Sequence, residues 1–192
     1  MPQRTAYVFI FDGFADWEPA SALAELRRTF GFATKAIGLS REPVVSMGGL
    51  RVVPDLTLLE FEPDTAAILI LPGGEFWMSA EHPEITAVVR AMESAHRPVA
   101  GICAATLALA HAGLLNDRLH TSNGAGFIEK FVPGYPGASF YRAVPAITDR
   151  GVITATGLAP FAFAAEIFRA LAPERTDDIA TYESLYTRGF LE

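Results

Sequence analysis

"VAGICAATLALAHAG", Val99 to Gly113, holds the only cysteine of the chain, Cys103. A short apolar run enters it, small residues flank it, and a run of alanine and leucine leaves it. A strand that passes directly into a helix through Gly-x-Cys-x-Ala has the form of a nucleophile elbow. The turn is tight, so its neighbours must be small, and Gly101, Ala104 and Ala105 are. Such a turn sets the sulfur at a helix N-terminus, where the helix dipole favours thiolate over thiol. A thiol pKa below the ordinary value of about 8.5 is the expectation. The competing reading is that Cys103 is a small apolar residue packed in a core, as free cysteines often are. The run after it is apolar on nearly every side and is expected to form a buried helix.

Outward from this stretch, short apolar runs alternate with helical patterns. "AYVFIF" (Ala6–Phe11), "TKAIGL" (Thr34–Leu39), "AAILILPGG" (Ala66–Gly74) and "PVAGI" (Pro98–Ile102) read as strands, being rich in β-branched and aliphatic residues. "PASALAELRRTF" (Pro19–Phe30) reads as a helix, with proline in its first turn and Gly31 as a stop. Further helices are expected over about Pro83–His96, over Ala159–Leu171 and in the tail from Pro173 to Phe190. "PVVSMGGLRVVPD" (Pro43–Asp55) suggests a small hairpin about Gly48-Gly49. "RLHTSN" leads to another strand end, and "YRAVPAITDRGVITATG" holds one or two strands around an Asp149-Arg150-Gly151 turn. Strands alternating with helices imply an α/β fold, a mostly parallel sheet covered on both faces. With no repeat or long linker, residues 1–192 are read as one domain.

The chain has 192 residues, 51% hydrophobic and 19% charged, a composition suited to a packed globule. No apolar run approaches the ~18 residues that span a bilayer. The N-terminal apolar stretch is interrupted by Asp12, lacks a small-residue cleavage site, and is read as a first strand rather than a signal peptide. A single cysteine excludes an internal disulfide framework and fits a reducing cytoplasm. The net charge of -7, without a basic block, argues against nucleic acid or an anionic membrane as partner. The four histidines, His82, His96, His111 and His120, show no metal-ligand spacing. The reading calls for no metal and no cofactor.

In a doubly wound sheet, ligands gather beyond the carboxyl ends of the strands. Four such ends carry unusual residues: "DGFADWE", "LPGGEFW", "AGICAA" and "HTSN". Gly73-Gly74 brings backbone N–H groups close to a ligand, and with the N–H of Ala104 it can form an oxyanion hole; an ordinary Gly-Gly turn is the bland alternative. Asp16 and Glu18 flank Trp17 before a helix. Each is either a helix cap or an acid beside the sulfur, able to donate a hydrogen bond or carry a proton if burial raises its pKa. Trp17 and Pro19 are expected to supply the apolar bulk for that burial. His111 fits a structural cation at a helix end, and Trp77 fits either a pocket wall or the core.

In order and spacing, "YVFIFDGFADWE", "SMGGLRVVPD", "ILILPGG", "VAGICAATLALAHAGLL", "HTSN" and "GVITATGLAPFAFAAEI" resemble the ThiJ/PfpI family of the class I glutamine amidotransferase-like superfamily. The resemblance covers nearly the whole chain. It implies a flavodoxin-like three-layer sandwich and a homodimer. It implies Cys103 as the elbow nucleophile, Glu18 as the conserved acid, and Gly74 with Ala104 as the oxyanion-hole backbone. Asp16, Gly73, Thr121, Ser122 and Asn123 are expected around the pocket. The departures are informative. Ala104 stands where protease-like members have a histidine. Asn123 stands twenty residues past Cys103, where another branch has one. An amide donates and accepts hydrogen bonds but takes up no proton near neutral pH. His120 is expected on the opposite face of its strand. The histidine that true glutaminases carry near the chain end is missing from "TGLAPFAFAAE".

Glutaminase and protease activity are therefore not expected. The resemblance implies a thiol-dependent enzyme acting on a small electrophilic substrate, of amide hydrolase, glyoxalase/deglycase or isocyanide hydratase type. The alternative is a redox-sensing or stress-response protein in which Cys103 oxidises to a sulfinate without turnover. A binding module without turnover is a third possibility.

Overall fold

The computed structural model describes residues 4–79 and 81–189, the side chain of Thr187 excepted. The apolar runs form β1 (Thr5–Phe9), β2 (Ala33–Gly38), β6 (Ala66–Leu71) and β7 (Val99–Ile102), with short β3 (Val44–Val45), β4 (Arg51–Val52) and β5 (Leu56–Thr57) between them. β8 (Ala146–Asp149) and β9 (Val152–Ala155) follow. The main sheet has seven strands in the order β5-β2-β1-β6-β7-β9-β8. It is parallel except for the β8–β9 hairpin, which turns through Arg150 and Gly151. Every residue of β6 and of β7 is buried, as expected of central strands covered on both faces. β3 and β4 pair antiparallel in the separate small hairpin expected around Gly48-Gly49.

Helix α1 (Trp17–Arg28) packs against α6 (Pro160–Leu171), which also carries α7 (Thr176–Arg188). The helices α2 (Phe76–Ser79), α3 (Pro83–Ser94), α4 (Thr106–His111) and α5 (Phe127–Phe131) form the second group, α4 touching each of the other three. The result is a flavodoxin-like three-layer sandwich. α1 places Glu18 in its first turn and Arg27 and Arg28 in its last, in line with the helix dipole. The expected C-terminal helix is present as α7, while its anticipated end at Phe190 lies outside the described residues.

Three expectations need correction. α1 begins at Trp17, two residues ahead of Pro19, so Glu18 lies inside the helix. The helix after Cys103 opens with a 3-10 turn, Cys103–Ala105, before α4. "HTSN" does not end a strand of the sheet; His120 makes only an isolated bridge with Tyr141. Side-chain bonds replace the ladder there. The Thr121 N–H donates to Thr154 Oγ1 at 2.9 Å, and the Thr121 hydroxyl donates to the carbonyl of Val144 at 2.9 Å.

Candidate active site around Cys103

The parallel register brings three strand ends side by side. Val8 pairs with Ile70, and Leu71 pairs with Gly101. The β1–α1 loop, the Gly73-Gly74 turn and the Cys103 elbow therefore meet beyond the sheet edge. Cys103 adopts φ 60°, the left-handed region rarely taken by residues other than glycine. Backbone strain of this kind concentrates at functional sites and persists because its surroundings impose it. A core-packing cysteine needs no such turn. The thiol is only partly buried.

Glu18 is 1% exposed. Its carboxylate Oε2 accepts a 2.6 Å hydrogen bond from the Gly73 N–H, so it ties the first loop to the second. It also hydrogen-bonds the Cys103 thiol. Burial raises the Glu18 pKa above the ordinary carboxylate value, and the Gly73 and Cys103 hydrogen bonds partly offset this. The apolar cover comes from buried Pro19 and not from Trp17, which is 48% exposed. Helix capping does not account for this geometry, because the carboxylate points across the site to another loop.

Asn123 donates from Nδ2 to Cys103 Sγ at 3.1 Å. Its Oδ1 accepts from the Gly157 N–H at 3.0 Å. The backbone donor fixes which end of the amide faces sulfur, so the side chain always offers a proton donor there. The Ala104 N–H also hydrogen-bonds the sulfur. Two donors that favour thiolate thus face one carboxylate that opposes it. Burial raises the Cys103 pKa above the ordinary thiol value. The Asn123 and Ala104 donors lower it, and the charge and hydrogen bond of Glu18 raise it further.

The expectation of a lowered thiol pKa is therefore overturned. Burial of the thiol is the largest cause, and the charge of the Glu18 carboxylate adds to it; together they outweigh the donors at the helix start. The two anions oppose one another, and each has its own donor: the Gly73 N–H supports the carboxylate and the Asn123 amide supports the thiolate.

Gly73 and Gly157 close over this pair from two loops. A Cβ at Gly73 would lie 2.6 Å from Cys103 Cβ and 2.8 Å from Glu18 Oε2. A Cβ at Gly157 would lie 2.8 Å from Cys103 Sγ and 3.1 Å from Glu18 Oε1. Neither position tolerates a side chain without displacing Cys103 or Glu18. Gly157 escaped the sequence reading. Its signal was the glycine of "TATG", just beyond the carboxyl end of β9, a fifth strand end next to β7. Gly74 follows at φ 155°, its N–H unengaged among the described residues.

The remaining candidates lie further out. The Asp16 Oδ1 accepts from the Gly48 N–H at 3.2 Å and holds the β3–β4 hairpin, not the sulfur. Thr121 is spent on Thr154 and Val144, as described. The Ser122 hydroxyl bonds the Thr106 hydroxyl at 2.7 Å, and Thr106 donates to the Cys103 carbonyl at 2.8 Å. Thr121 and Ser122 therefore brace the elbow and the Asn123 segment instead of reaching the sulfur. His120 is fully buried, with its ring between the Arg118 carbonyl (2.8 Å) and the Tyr135 hydroxyl (2.7 Å). Burial holds its pKa below the ordinary histidine value. Trp77 is buried and donates from its indole to the Pro72 carbonyl at 2.7 Å, which anchors the turn at Gly73 from the core. Among the described residues no group of three or more His, Cys, Asp or Glu side chains is placed to hold a metal ion. None of their helices is long and apolar enough to cross a membrane.

Comparison with known proteins agrees with this architecture. The chain is 34% identical over 192 residues to the "Uncharacterized protease YoaZ" of Bacillus subtilis (strain 168), covering 96% of this chain and 91% of that one. It is 33% identical over 146 residues to the "Glutathione-independent glyoxalase DJR-1.2" of Caenorhabditis elegans, covering 74% and 75% of the two chains. The crystal structure of the DJ-1 superfamily protein Atu0886 from Agrobacterium tumefaciens superposes with a TM-score of 0.86 at 36% identity, covering 96% of this chain and all of the other. Residues 4–170 match the DJ-1/PfpI family, and the chain belongs to it.

Proposed function

We propose that the protein is a thiol-dependent enzyme in which Cys103 attacks an electrophilic carbon of a small molecule. The observation that carries this reading is the contact of a positive-φ cysteine with a buried carboxylate and two fixed N–H donors. Glu18 takes the thiol proton as general base, the role that a histidine fills in many cysteine enzymes. The sulfur electron pair then forms the C–S bond, and the carbonyl π pair moves onto oxygen. The Ala104 N–H and the unengaged Gly74 N–H are the donors for that oxyanion. Glu18 returns the proton to the oxygen or to the leaving group. One water then cleaves the C–S bond of the acyl–sulfur intermediate, giving up a proton to Glu18, and the Cys103 thiol is restored.

A glyoxal-type carbonyl is the first substrate class to test, and the name of the nematode relative as a glyoxalase supports it. Amides and isocyanides are the alternatives. Purified protein assayed against methylglyoxal and an amide panel should turn over at least one of them. Cys103→Ala should reduce that rate about a thousandfold or more, as removal of a covalent nucleophile does. Turnover unaffected by Cys103→Ala would refute the mechanism.

A second reading is favoured by the placement of His120, which is buried with both ring nitrogens engaged away from the sulfur. In it Cys103 is a redox sensor. Thiolate reduces one peroxide to water and becomes sulfenate, then reduces a second and becomes sulfinate. Mild peroxide followed by intact-mass analysis should show two oxygens on Cys103 before the exposed Met78 is oxidised. Methionine oxidation preceding any gain at Cys103 would exclude this reading. We also propose a cytoplasmic homodimer, with the exposed apolar side chains of Trp17, Val45, Met47 and Leu50 as its contact face. Light scattering at a monomeric mass would exclude the dimer.

A further inference from the structure

Beside Asn123 runs a groove of about 410 Å³ whose walls include Tyr141, Val144, Pro145, Leu158 and Ala159. None of the described residues that line it carries a charge. The nearest cation in sequence, Arg142, turns its guanidinium back onto the carbonyls of Ser139 and Tyr141. Leu158 is 96% exposed and Val144 is 38% exposed. A leucine so fully open to water, on the loop whose Gly157 touches the sulfur, has no role in the core. Asn123 belongs to both places: its amide nitrogen meets Cys103 Sγ, and the residue lines the groove. The sulfur does not itself line the groove but lies one side chain away from it, behind Asn123.

We infer that this groove receives the neutral, apolar tail of the electrophile that Cys103 attacks. The inference rests on the nucleophile reading above and adds a substrate class to it: small carbonyl-type compounds carrying an uncharged alkyl or aryl substituent. A carboxylate on that substituent would find no cation in the groove and would lose its hydration on entry. An apolar tail would gain by covering Leu158 and Val144.

Alkylation kinetics test this directly. Iodoacetamide, N-hexyliodoacetamide and the same hexyl chain ending in a carboxylate are reacted with the native protein, and intact mass follows Cys103. Each rate is divided by the rate of the same reagent with N-acetylcysteine. The normalised hexyl rate should exceed that of iodoacetamide about tenfold, the gain from burying two methylenes or so. The carboxylate-ended chain should lose most of that gain. Leu158→Ser and Val144→Ser, neutral changes that leave the charge around the sulfur alone, should each reduce the hexyl preference at least threefold. Leu59→Ser, at a leucine 98% exposed elsewhere on the surface, should not. A normalised preference near one in the wild type, or a preference equal in all variants, would overturn the inference while leaving the nucleophile reading intact. Failure of every reagent to alkylate the folded protein would overturn both.

Discussion

Glu18→Gln is expected to lower kcat/KM about a hundredfold or more, the usual contribution of a positioned general base, while making the folded protein more stable at neutral pH. Glutamine keeps the shape and the carbonyl oxygen that accepts from the Gly73 N–H. It cannot take the thiol proton. The stability half follows from burial, which raises the Glu18 pKa in the folded state. A carboxyl raised in this way contributes stability that is fully present below its unfolded value of about 4.3. That contribution is lost as pH rises through the raised native value. Glutamine has no charge to bury, so its advantage should open upward from about pH 4. Urea denaturation of both proteins near pH 4 and near pH 7 measures it. A loss of activity accompanied by a loss of stability at neutral pH would assign Glu18 to the framework instead of the chemistry.

Gly73→Ala should damage the fold and the chemistry together. The added carbon would sit 2.6 Å from Cys103 Cβ and 2.9 Å from its sulfur. Neither neighbour can retreat easily: Cys103 is held in a left-handed turn, and the Glu18 carboxylate is bound to the Gly73 N–H itself. Overpacking of this kind costs roughly 1–3 kcal/mol, and Glu18 would be pushed off the thiol. The variant should unfold at lower urea concentration with an unchanged m-value, and its turnover should fall with that of Glu18→Gln. Wild-type stability and activity in Gly73→Ala would mean that the two loops are not in contact with the elbow.

The alternation of apolar runs and helical patterns was enough to read the layers, because central strands buried on both faces are continuous apolar runs. β6 and β7 are such runs, and the hairpin about Gly48-Gly49 was equally plain. The family resemblance, counted along the chain from Cys103, placed Asn123 opposite the thiol. The segment Thr121–Ser122 was misread as strand because its β-branched and hydroxyl residues fit a ladder. Their hydroxyls are instead engaged by Thr106 and Val144, partners distant in sequence. The direction of the thiol pKa was hidden for the same reason. Local sequence supplies the helix start that favours thiolate, but the burial that opposes it comes only with the fold, as does the Glu18 carboxylate, 85 positions earlier, that adds to it.

The central claim is that Cys103 is a nucleophile whose proton is governed by Glu18. The most direct test is the rate of iodoacetamide alkylation of the native protein across pH, in the wild type and in Glu18→Gln. Cys103 is the only thiol, so intact mass reports it alone. Wild-type protein should label fully while folded, with an apparent thiol pKa above the ordinary value of about 8.5. Glu18→Gln, which removes the facing charge, should shift that midpoint downward and label faster at neutral pH. Coincident pH profiles for the two proteins, or labelling only after unfolding, would contradict the account.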